Sequence, residues 1–139
     1  MVIAILYPVF AQIILTLVLL VAMAWGRRKV MLTPGFRWSD IALDSSRWPD
    51  DSRKVANCYG NQFELPVIFY VLCLIALMTG KADFLMVVLA WVFVASRVVH
   101  ALIHTGPNIV PQRGIAFGIG ILVVIIMTGI LLVRLLGAV

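Results

Sequence analysis

Charge is what this sequence has least of. Only 12% of its 139 residues are Asp, Glu, Lys or Arg, against roughly a quarter in soluble globular domains. Mean hydropathy is +1.11. An ordinary water-soluble domain is excluded, and the chain reads as an integral membrane protein. Alternation of apolar and polar residues is missing too. The apolar stretches are continuous and too few to close a barrel, so membrane-spanning strands are excluded. There are two cysteines, Cys58 and Cys73, fifteen positions apart in one expected helix. They would stand about 22 Å from each other, too far for a disulfide. With two histidines and no clear third ligand, a metal site is set aside as well.

What is present is four long apolar runs: about 3–25, 57–79, 84–105 and 115–136. Each reaches the ~20 residues a helix needs to cross the hydrocarbon core. The expected fold is therefore all-α, a bundle of four transmembrane helices forming a single domain over residues 1–139. The first run could pass for a signal peptide, since Ala22-Met23-Ala24 imitates a cleavage site. No basic residue precedes it, however, and it exceeds the ~7–15 apolar residues of a signal core. Pro8 lies near its start, where a missing N–H costs little.

The few basic residues are unevenly placed. Arg27, Arg28, Lys29, Arg37, Arg47, Arg53 and Lys54 fall between helices one and two, and Arg113 just before helix four. The other side carries Lys81 and Arg134. The positive-inside rule puts the 26–56 and 106–113 loops in the cytoplasm and both termini outside it. Nucleic-acid binding is excluded, because these cations hug a membrane boundary and belong to no recognisable binding fold. The 26–56 loop is unusually long. Phe36, Trp38, Ile41, Leu43 and Trp48 alternate in it with Arg37, Asp40, Asp44 and Arg47. Such a mixture suits the headgroup layer, either as a tether on the membrane surface or as a lid over a pocket. In helix four, Gly114 and Gly118 have the GxxxG spacing, with Gly120 after them. That spacing suggests close helix packing or self-association.

The remaining polar residues line up. Lys54, Asn57, Asn61 and Glu64 are three, four and three apart, which is one helix face. Pro66 follows and should bend that helix. Arg97, His100 and His104 share a face of helix three. Helices two and three form an antiparallel hairpin, so Glu64 and Arg97 are expected at similar depth, paired as buried charges in a bundle usually are. The cluster reads either as a polar staple between helices or as a site. Asn57, Asn61, His100, His104 and Arg113 converging on one end is more than a staple needs.

The arrangement resembles the MAPEG family, the membrane-associated proteins in eicosanoid and glutathione metabolism. The resemblance rests on four membrane helices, Asn61-Gln62-Phe63-Glu64 as N-x-x-E, Arg97-x-x-His100, and Arg113 sixteen residues after Arg97. It implies a homotrimer that binds glutathione between subunits near the cytoplasmic membrane face. By position, Asn57, Asn61, Glu64, Arg97, His100 and His104 would form the ligand-binding face, and Arg113 would stabilise the catalytic thiolate. The sequence departs from the family pattern in having Asn57 and Gly60 at positions of expected arginines and His104 at that of a tyrosine. The expected function is that of a membrane-bound, glutathione transferase- or peroxidase-like enzyme acting on lipophilic electrophiles. A non-catalytic relative binding a lipid or other amphiphile in the same cleft is the alternative. A small transporter or channel subunit is a third reading, weakened by the lack of an inverted repeat.

Overall fold

A computed structural model describes residues 2–42 and 44–137. Helix α1 (Leu6–Met31) follows a 3-10 turn at Val2–Ile5. The second crossing is built in two pieces, α2 (Asp50–Gly60) and α3 (Leu65–Met78), joined by a 3-10 turn at Asn61–Phe63. Helices α4 (Phe84–Thr105) and α5 (Val110–Leu136) complete the bundle. Four spans are long and apolar enough to cross a membrane: Ile3–Met31, Asp50–Met78, Phe84–Thr105 and Val110–Leu136. The protein is thus an all-helical, multi-pass membrane protein, as the apolar runs imply.

Several helix limits differ from those expected, and for one reason. Apolarity marks where a helix is in lipid, not where it ends. α1 carries Gly26-Arg27-Arg28-Lys29 as continuing helix to Met31, because Arg and Lys are good helix formers and suit a C-terminal turn. α2 begins at Asp50 behind Pro49, with Asp50 and Asp51 in its first turn. Each acid pairs three residues on, Asp50 with Arg53 at 3.1 Å and Asp51 with Lys54 at 3.2 Å. α5 starts at Val110, not 115, with a proline in its first turn. The loop shrinks from 26–56 to 32–49. Its Phe36 ring meets Trp38 edge-on at 5.2 Å and Trp48 at 6.3 Å; Leu43 lies outside the described residues.

The break in the second crossing follows from Pro66. Its ring would clash with the carbonyl of Gln62 and it has no N–H to donate, so a new helix starts, with Pro66 in the first turn of α3. Two buried glutamines close the gap this leaves. Gln12 of α1 donates from Nε2 to Gln62 Oε1 at 2.8 Å, and Gln62 Nε2 donates to the Cys58 carbonyl at 3.0 Å. Gln12 is 0% and Gln62 1% exposed. Gln62→Leu should cost about 1–2 kcal/mol, since it strands Gln12. The Gln12→Leu/Gln62→Leu double variant should recover most of that loss. Unfolding in detergent measures both, and additive losses would refute the pairing.

The main core lies between α3, α4 and α5, where Phe69 and Phe93 stack with centroids 4.3 Å apart among Met86, Ala90 and Met127. Gly120 lets α5 approach α4, for a Cβ there would stand 3.1 Å from Ser96 Oγ and 3.4 Å from Leu65 Cδ2. Gly114 and Gly118 meet nothing within 4 Å. The close packing within the chain therefore belongs to Gly120, not to the GxxxG pair. At one end of the bundle α3 closes with Gly80 at φ +67°, where Lys81 N donates to Ala76 O at 2.8 Å and Gly80 N to Leu77 O at 3.2 Å. Asp83 then caps α4 through Met86 N at 3.0 Å. Arg134, near the end of α5, reaches back to Asp83 at 2.6 Å and to the Lys81 carbonyl at 3.4 Å. The Arg134 hydrogen bond, then the Met86 amide, holds the Asp83 carboxyl below its usual range.

Candidate functional site

The opposite end of the bundle brings the polar residues together. His100 and His104 lie one turn apart on α4, 3% and 4% exposed, with their rings edge to face at 5.3 Å. His100 Nδ1 is 2.9 Å from the Arg113 carbonyl, which can only accept, so Nδ1 carries the proton. Nε2 is then free to accept from Asn61 Nδ2 at 3.5 Å. One histidine thus ties the end of α2 to the first turn of α5. Arg113 in turn donates from Nη1 to Asn108 Oδ1 at 2.6 Å. Asn108 sits at φ 55°, a left-handed position that Asn tolerates better than most residues. Its amide also closes the α4 terminus by donating to Ile103 O at 2.7 Å. Asn108 escaped the sequence reading, although an Asn between Gly106-Pro107 and a new helix is a turn signal.

Asn57, Asn61, Glu64, His104 and Arg113 surround an open cleft of about 470 Å³, floored by Ala56 and Gly60. Asn57, His104 and Arg113 also line an adjoining recess of about 270 Å³ that adds Asp50, Arg53, Lys54 and Asn108. Among the described residues of 32–49 none lines either space; Asp44, Ser45, Ser46 and Trp48 border a neighbouring cavity instead.

The expected Glu64–Arg97 ion pair is not formed. Glu64 is exposed and takes part in no ion pair among the described residues. Arg97 is 0% exposed and lies over Phe117 at 5.1 Å. Its three guanidinium nitrogens have no hydrogen-bond partner among the described residues. Glu64 keeps the face that the spacing gives and lines the open cleft with Asn57 and Asn61. Arg97 instead lies sealed in the bundle against Phe117, away from that cleft. No group of three His, Cys, Asp or Glu residues suited to a metal occurs among the described residues.

Four helical crossings with a hydrophilic cleft at one end, walled by amides, a carboxylate, a histidine and an arginine, define a polytopic membrane protein with a polar cleft. The chain matches the sequence model of the MAPEG family over residues 5–133, and it belongs to that family. No curated protein and no solved structure gives a match.

Proposed function

We propose that the protein is a membrane-bound thiol transferase, joining glutathione to lipophilic electrophiles that enter from the bilayer. Family membership supports this at the level of a glutathione- or eicosanoid-metabolism role. The observation that carries it further is the convergence of Arg113, Asn57, Asn61, Glu64 and His104 on one open cleft. Glutathione offers two carboxylates, an ammonium and a thiol. Arg53, Lys54 and Arg113 around the recess are cations for the carboxylates, in place of arginines at Asn57 and Gly60. Glu64 suits the ammonium. A free thiol is mostly protonated at neutral pH, and the Arg113 cation favours the anion. The thiolate sulfur then forms a bond to the electrophilic carbon, and the leaving group departs with its electron pair. His100 holds Asn61 and the start of α5 in place.

In this reading the site is completed between subunits of a homotrimer, because the cleft is open on its outer side. In the same reading this end faces the cytoplasm, supported by the basic residues around the cleft, and both termini lie on the opposite side. A non-catalytic protein binding an amphiphile in the same cleft is the second reading, favoured by Asn57 and Gly60. Calorimetry with glutathione on detergent-purified protein, beside a conjugation assay with an aromatic chloride, decides between them. Binding and turnover are expected. Binding without turnover would move the protein to the second reading, and neither would remove glutathione from the account.

A further inference from the structure

A second cavity, of about 190 Å³, lies between the ends of α1 and α2 and the 44–48 segment. Two buried polar atoms there have no partner among the described residues, Arg27 Nε and Ser52 Oγ. Ser52 is 6% exposed, and its hydroxyl faces the backbone of α1, 4.0 Å from where a Cβ on Gly26 would stand. Arg27 is fixed by the Trp48 ring, 5.2 Å from the guanidinium carbon. Arg53, Asn57 and the hydroxyl-bearing Ser45 and Ser46 also line it. One acid, Asp44, also borders the cavity, but it accepts from Ser46 N at 2.9 Å and lies 3.6 Å from Arg47. Leaving a guanidinium N–H and a hydroxyl buried and unpaired is costly. An oxyanion would satisfy both at once.

The level in the membrane narrows the choice of anion. Arg27 stands two residues beyond the first apolar run, next to the exposed Trp25. Aromatics of this kind lie at the headgroup layer, where phosphate is the abundant oxyanion. We propose that the cavity binds the phosphate group of an anionic phospholipid, with Arg27 and Ser52 as its donors. The cavity adjoins the cleft and recess, sharing Arg53, Ala56 and Asn57 with their walls, but Arg27 and Ser52 line neither, and the proposal does not depend on the reaction assigned there. The lipid would pin α1 to α2 from outside, at the root of the cleft wall.

Phosphatidic acid and diacylglycerol differ only in the phosphate, so they are the probes, with inorganic phosphate as the soluble source. The full-length protein in detergent is titrated with each and followed by native mass spectrometry and thermal unfolding. Phosphatidic acid should bind and raise the melting temperature, and diacylglycerol should not. Arg27→Gln and Ser52→Ala should each weaken binding by about tenfold, while Arg28→Gln, an exposed neighbour of equal charge, should change it less than about twofold. Without lipid, Ser52→Ala should be at least as stable as the parent, because its hydroxyl has no partner to lose; it therefore carries the test if Arg27→Gln fails to fold. If inorganic phosphate gives the whole effect, the phosphate chemistry stands with a soluble source. Equal binding of the two lipids, or equal loss in Arg28→Gln, would overturn the proposal by showing mere apolar or patch attraction.

Discussion

Arg113→Ala is expected to lower turnover at neutral pH by about 10- to 100-fold, with activity returning as the pH climbs toward the free thiol's own pKa. A neighbouring cation lowers a thiol pKa by about one to three units, and below that pKa each unit is tenfold in thiolate. Binding should suffer less, because the charge acts on the anion that forms rather than on the whole ligand. The side chain is held for this role by Asn108, whose oxygen is 2.6 Å from Nη1. Rates of parent and variant measured across pH in the conjugation assay decide it. Equal rates throughout would leave Arg113 as a positive charge at the membrane rim and nothing more.

Arg97→Met is expected to raise the stability of the ligand-free protein. The guanidinium is 0% exposed, has no hydrogen-bond partner among the described residues and lies over the Phe117 face. Replacing a poorly compensated buried ion by an apolar side chain of similar length is often stabilising, by about 1–4 kcal/mol. The ligand-free variant should therefore unfold later than the parent. Glutathione binding should change less than about threefold, because Arg97 lines neither the cleft nor the recess. Should Arg97→Met unfold earlier in ligand-free detergent, some other group already neutralises the guanidinium, and the reasoning fails.

The sequence carried the four crossings because lipid demands long apolar runs, and nothing else in the chain satisfies that demand. It carried the helix limits poorly, since α1 and α2 run on into water with Arg27, Arg28, Lys29 and Asp50 as ordinary helical residues. The shared face of His100 and His104 was legible from spacing, and so was the position of Asn61 near it. The face shared by Asn57, Asn61 and Glu64 was legible too; the partner for Glu64 was not, because spacing along each helix does not say which side of α4 is sealed against Phe117. Gln12 was overlooked as one polar residue inside an apolar run. A lone amide in lipid has to find a partner, and that requirement could have pointed to Gln62.

The contact of Arg134 with Lys81 and Asp83 fastens α5 to the α3–α4 turn at one end. The hydrogen bond from His100 to the Arg113 carbonyl fastens it to α4 at the other. The two arginines are twenty-one residues apart on one helix, a span of about 32 Å. Pinned near both ends, α5 behaves as a beam and not as a lever, so the wall it gives the cleft keeps its place while the cleft stands empty.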